Sequence, residues 1–259
     1  MNNLIIRIAA TEVLTNHELL RLIKIDDLTE DKLQRIFPGK FWKIINHSNY
    51  LNFDQLNIHA ISFLDDLYPD KLSEIYNPPA VLFYEGKIEL LNQTGIGIVG
   101  ARIGTNYSRV AIETICLHLS TDKVIVSGMA NGVDSMGHVS ALKYGLGTIA
   151  VMGTGIDDCY PKNNFNLKHQ IIESGLVISE YPPNHITKPY NFIQRNRIIA
   201  GLSESLIVTE AKKKSGSLIT ASLALENNRN VYALPGEVGS ALSVGTNELI
   251  RDGANILLF

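Results

Sequence analysis

Hydrophobic positions along this chain change their period near residue 60. Before it, apolar residues recur at helical spacing: Leu4, Ile5, Ile8 and Ala9, then Leu19, Leu20, Leu22 and Ile23 after a capping residue at Thr15 or Asn16. Thr29 is placed to cap a short helix carrying Leu33 and Ile36, which Pro38-Gly39 ends. Phe41, Trp42, Ile44 and Ile45 predict a fourth helix. Residues 1–58 thus read as a small helical domain. Residues 59–94 form a lead-in, with strands at Ile61–Leu64 and Val81–Tyr84 and a helix over Lys71–Tyr76 that Pro78-Pro79 breaks.

From Gly95 onward, short Val/Ile/Leu runs alternate with helical stretches. The runs are Ile96–Val99, Val124–Ser127, Thr148–Met152, Leu176–Ser179, Leu206–Val208, Val231–Ala233 and Asn255–Leu258. Continuous apolar runs of this length suit parallel strands buried on both faces. The helices between them are expected at Arg109–Leu119, Ser135–Lys143, Asn166–Glu173, Arg197–Leu202, Ile219–Glu226 and Thr246–Arg251. The pattern predicts a doubly wound α/β domain over 59–259, in which ligands bind beyond the carboxyl ends of the strands.

Composition narrows the function classes. At 259 residues and 45% hydrophobic content the chain can bury a large core, and its net charge of -3 argues against a generally basic surface. The charge is uneven: Gly95–Thr220 carries 12 Lys and Arg against 9 Asp and Glu. A footprint for a phosphate polymer therefore belongs to the middle of the chain. Cys116 and Cys159 lack metal or disulfide spacing, the histidines do not cluster, and no apolar stretch reaches membrane length. A cytoplasmic protein with no metal and no cofactor is expected.

Candidate chemistry gathers at the strand ends. Val124–Ser127 runs into Gly128 and Gly132 and then a helix, an arrangement that leaves backbone N–H groups free for an anion. Such turns also join strands to helices in proteins that bind nothing, so their recurrence carries the reading. Gly100-Ala-Arg102 follows the first strand without a full dinucleotide fingerprint. Gly153-Thr-Gly155 and Lys162 follow the third, and Asp134 is expected to cap its helix and His138 to lie in the core. Tyr181, Tyr190 and Phe192 interleave with Lys188, which suits bases stacking on rings and equally suits aromatics that pin a loop to the core. Arg195-Asn196-Arg197 is expected to open a helix, where two cations oppose the dipole and call for a bound anion or a buried carboxylate. Lys212 precedes Ser215-Gly216-Ser217, an anion cradle at a helix start.

Together these segments resemble the DNA-processing protein A family (DprA, also called Smf). The resemblance is carried by Ser127-Gly-Met-Ala-Asn-Gly-Val-Asp134, Gly153-Thr-Gly-Ile-Asp157 with Tyr160-Pro-Lys162, Ser179-Glu-Tyr-Pro182, Arg195-Asn-Arg-Ile-Ile-Ala-Gly-Leu-Ser203, Ser215-Gly-Ser-Leu-Ile-Thr-Ala221 and Gly245-Thr-Asn-Glu-Leu-Ile250. It implies an extended Rossmann-like domain that binds single-stranded DNA without sequence preference, protects DNA entering in natural transformation and helps load the RecA recombinase. It implies no catalysis. Arg102, Lys162 and Lys188 would be DNA-contacting cations, joined by Lys212 from the cradle read above, and Arg195, Asn196 and Arg197 a further motif. Gly100, Ser127, Gly128, Gly153, Ser215, Gly216 and Ser217 would form the phosphate-facing turns, and Asn247 and Ile256 a homodimer contact.

The family's Gly-Ser-Arg is Gly100-Ala-Arg102 here, and its Phe-Pro-x-Arg-Asn-Arg is Phe192-Ile-Gln-Arg-Asn-Arg197, which predicts a less rigid loop. The N-terminal helices correspond to the small SAM- or HhH-like module of some relatives, and the C-terminal winged helix of many relatives is not expected. Two other readings remain within the superfamily, a nucleotide phosphoribohydrolase-like enzyme and a small-nucleotide sensor. The Pro-Gly-Gly-x-Gly-Thr signature of the former is missing.

Overall fold

The computed structural model describes residues 2–48 and 58–258. Four short helices come first: α1 (Asn2–Ala10), α2 (Asn16–Ile23), α3 (Glu30–Ile36) and α4 (Phe41–Ser48). Thr15 caps α2 in a capping box with Glu18, and Thr29 caps α3, so the predicted start signals act where they stand. Helices this short are marginal alone and need a buried apolar face. They find it on the sheet: Ile5, Ile8, Leu22 and Ile44 share one core with Val81, Phe83, Ala150, Met152 and Val177.

Among the described residues nine strands form one sheet, in the order β1-β2-β6-β5-β4-β3-β7-β8-β9. They are β1 (His59–Ser62), β2 (Val81–Gly86), β3 (Thr94–Val99), β4 (Lys123–Ser127), β5 (Gly147–Gly155), β6 (Leu176–Tyr181), β7 (Ser203–Val208), β8 (Asn230–Ala233) and β9 (Asn255–Ile256). The seven from β3 onward run parallel to one another, as their apolar runs predict. The lead-in strands do more than approach this domain. They extend its sheet, β1 antiparallel to β2 and β2 antiparallel to β6.

Helices cover both faces: α5 (Asp70–Ser73), α6 (Asn106–His118), α7 (Val133–Lys143), α8 (Phe165–Ser174), α9 (Pro189–Leu202), α10 (Gly216–Glu226) and α11 (Val244–Arg251). Side-chain alternation along the strands divides the core. Val124, Val126, Ile149 and Val151 pack with α5, α9 and α10, whereas Ile125 turns to α6 and α7, and Ala150 and Met152 to the N-terminal helices.

The helix carrying Arg195-Asn196-Arg197 differs from expectation. It starts at Pro189, with Pro at the first position and Lys188 at the N-cap. The tripeptide therefore lies in its middle, away from the unfavourable dipole end, and Phe192-Ile193-Gln194 is helix rather than loosened loop.

Candidate nucleic-acid interface

The sheet order reverses between β3 and β7, so the chain leaves these neighbouring strands in opposite directions and opens a crevice beyond Val99 and Val208. A cavity of about 630 Å³ occupies that crevice. Arg102 stands at its mouth after β3, and Lys212 after β7. Both are exposed, and neither side chain makes a hydrogen bond or ion pair with a described residue. One wall is aromatic: the rings of Tyr160 and Phe192 lie 5.3 Å apart. Opposite them α10 begins at Gly216, with the hydroxyls of Ser215 and Ser217 2.8 Å from each other. Cations, rings and a helix N-terminus thus surround one opening, the set that a phosphate-linked chain of bases uses.

The floor holds two buried charges of opposite sign, Arg195 and Asp134. Arg195 Nη1 donates to the Val151 carbonyl at 2.5 Å and to that of Gly128, and Asp134 lies within its field. Burial pushes the Asp134 carboxyl up to about 6, against the Arg195 charge and the N–H groups of Ala130 and Gly128, which favour the anion. Burial also lowers the Arg195 pKa, which Asp134 opposes. Asp134 is not the cap of α7, which is Gly132; it lies in the first turn and accepts from Ala130 N at 3.3 Å. His138 is a core residue as expected: its Nδ1 meets Thr148 Oγ1 at 2.7 Å, and burial drives its pKa down to about 3.

Several predicted site residues serve the fold instead. Ser127 is fully buried and its hydroxyl donates to the Ile98 carbonyl at 2.6 Å, so it faces the core and not a ligand. Gly128 leaves room for the Arg195 guanidinium, and a side chain on Gly153 would come within 2.7 Å of the Phe192 ring. Both turns are closed from the ligand side by these residues. Arg197 points away from the cavity. Its Nη2 pairs with Glu180 Oε1 at 2.5 Å, Nε donates to Asn77 O at 2.8 Å and Nη1 to Gln194 O at 3.0 Å. Residues two apart on a helix project about 200° apart, which separates Arg195 from Arg197. The carboxylate anticipated beside the tripeptide is Glu180, largely but not fully shielded from solvent.

The remaining candidates surround the cavity. Asn196 receives Arg195 Nε at 3.2 Å and donates to Gly216 O at 3.4 Å, tying α9 to the start of α10. Gly100 lines the cavity, pressed against Val133. Lys188 is exposed at the N-cap of α9, and Lys162 is exposed while paired with Asp158. Tyr181 is engaged elsewhere, stacked on His185 at 4.3 Å. Glu210 was not legible as a site residue. It accepts from Thr105 N and Oγ1, each at 2.8 Å, and from Ser108 Oγ at 2.7 Å, and so anchors the loop that carries Arg102. At the far edge, Asn247 holds Gly236 through N–H and carbonyl, both at 3.0 Å, while Ile256 is exposed on β9.

The sequence profile of the DNA recombination-mediator protein A family matches residues 59–258. The chain belongs to this family. It is 38% identical over 257 residues to the DNA processing protein DprA of Streptococcus pneumoniae, covering 94% of this chain and 90% of that one. With DprA of Bacillus subtilis it shares 39% over 207 residues, 79% of this chain and 70% of that protein. The X-ray structure of the Streptococcus pneumoniae protein superposes with a TM-score of 0.88 at 36% identity, over 99% of this chain and 95% of the other. The structure describing a single-stranded DNA binding mode of DNA processing protein A from Helicobacter pylori gives 0.71 at 32% identity, over 78% and 91%. Family membership extends to the antiparallel strands β1 and β2, which lie within the matched residues. Among the described residues no helix is long and apolar enough to cross a membrane.

Proposed function

We propose that this chain is a sequence-independent single-stranded DNA-binding recombination mediator acting in natural transformation, and that its switch-point cavity takes the strand. The observation that carries this reading is the meeting of unpaired Arg102 and Lys212, the Tyr160–Phe192 pair and the α10 N-terminus around one opening. Arg102, Lys162, Lys188 and Lys212 would neutralise phosphates, with Gly100 and Ser215-Gly216-Ser217 offering backbone and hydroxyl groups. Arg195 and Asn196 would shape the floor. No base-edge readout is needed, since stacking and phosphate contacts are blind to sequence.

The protein would bind rather than catalyse. Asp134, the one carboxylate lining the cavity among the described residues, already faces Arg195, which leaves no second carboxylate for acid–base work. We further propose RecA as its protein partner, a homodimer contact that includes Asn247 and Ile256, and a cytoplasmic location. Residues 1–58 would be a module whose inner face is built into the sheet.

Titration of labelled single- and double-stranded oligonucleotides across a salt series tests the central reading. Preference for the single strand, falling steeply with salt, is the expected result. Equal affinity for both forms, or release of free base from a nucleoside monophosphate, would overturn it.

A further inference from the structure

A second cavity, of about 430 Å³, opens between α9, α10 and residues 74–77. Ile193 lines both this cavity and the switch-point cavity, so the two adjoin across one side chain. Ile193 on that divide and Ile219 within the second cavity are both exposed apolar residues. Beyond them stands Tyr76, 94% exposed. Exposed together, Tyr76, Ile193 and Ile219 line one groove, the clustered apolar surface that marks a binding site.

The backbone beneath Tyr76 is held firmly. The carbonyl of Asn77 accepts from buried Arg197, and its side-chain oxygen accepts from Asn16 at 2.9 Å, just before Pro78 and Pro79. The ring is therefore displayed from a fixed base. Gln194, Asn227 and Asn228 at the cavity offer both donors and acceptors, which suits any base edge. Of the charged residues lining it, Arg197 is held by Glu180 and Arg229 by Glu74 and the Lys71 carbonyl, which leaves Glu226 to oppose a phosphate there. Its occupant should then present a ring inward and keep its charge outward.

Resting on the reading that DNA enters the switch-point cavity, we propose that the strand continues over Ile193 into the α9–α10 groove, with a base stacked on Tyr76. Along α10 the path from Gly216 to Glu226 rises about 15 Å, so only oligonucleotides longer than the first cavity reach the ring.

The test is an affinity series with oligonucleotides from about 4 to about 16 nucleotides, using wild type, Tyr76→Ala, Tyr76→Phe and Arg102→Ala. A second readout is the fluorescence of Tyr76→Trp in a Trp42→Phe background, since Trp42 is the native tryptophan. Expected is a loss of about tenfold for Tyr76→Ala with long oligonucleotides only. Tyr76→Phe should bind as wild type, and long oligonucleotides should quench the introduced indole. If Arg102→Ala weakens every length while Tyr76→Ala matches wild type throughout and the indole is unquenched, the groove proposal falls and the cavity reading stands. That result would turn attention to a protein segment as the groove's occupant. If DNA binds and Arg102→Ala changes nothing, the cavity reading itself falls.

Discussion

The guanidinium of Arg195 closes over the backbone of Gly128, donating to its carbonyl oxygen and joining the middle of α9 to the end of β4. A methyl group on Gly128 would collide with that guanidinium, whereas one on Gly216 would meet nothing within 4 Å. Gly128→Ala should therefore cost about 1–3 kcal/mol of stability in urea unfolding. Gly216→Ala should stay within about 0.5 kcal/mol of wild type yet weaken oligonucleotide binding, since its methyl projects into open space at the helix start.

Replacing the exposed cations should reduce affinity without regard to sequence. Arg102→Ala combined with Lys162→Ala is expected to weaken all single-stranded oligonucleotides alike. The plot of log affinity against log salt should flatten by about 0.7 for each phosphate contact removed. An unchanged slope in anisotropy titrations would remove both residues from the interface.

Arg197 should behave in the opposite way. Its partner Glu180 is largely shielded from solvent, so Arg197→Ala leaves a carboxylate uncompensated and should cost about 3 kcal/mol in chemical denaturation. The salt slope of the folded fraction should not move.

Asp134 makes stability depend on pH in a defined direction. Its pKa rises from an ordinary aspartate value near 4 unfolded to about 6 folded, so the folded state favours the protonated form. Its contribution is fully present below pH 4 and lost as pH rises through 6. Relative to Asp134→Asn, wild type should lose about 3 kcal/mol between pH 4 and 7. Below pH 6 the neutral carboxyl also leaves Arg195 uncompensated, so wild-type DNA affinity should rise there and that of Asp134→Asn should not. Parallel melts and titrations at stepped pH check both.

How much could be read from the residues alone depended on the range of the interaction. The Val/Ile runs of β3 to β8 were legible because burial on both faces leaves little room for polar residues. The caps at Thr15 and Thr29 were legible because capping is local. The start of α9 was misplaced although Lys188-Pro189 carries a start signal, because the aromatics around it read as a binding loop. Once the helix is known, its period alone separates Arg195 from Arg197. The closure of Arg195 on Gly128, 67 residues away, and the hold of Glu210 on Thr105 left no trace in spacing. Both depend on strand order, which local patterns do not encode. The division of the core was equally hidden, since the N-terminal helices bury their apolar faces against β2, β5 and β6.

That shared core imposes an order on biosynthesis. The helices bearing Ile5, Ile8, Leu22 and Ile44 precede in the chain the strands that cover them, and the last of these, β6, ends at Tyr181. A ribosome adding about 5–20 residues each second leaves that greasy surface waiting for many seconds. During that interval the nascent chain must keep apolar side chains in water that only a later strand can cover.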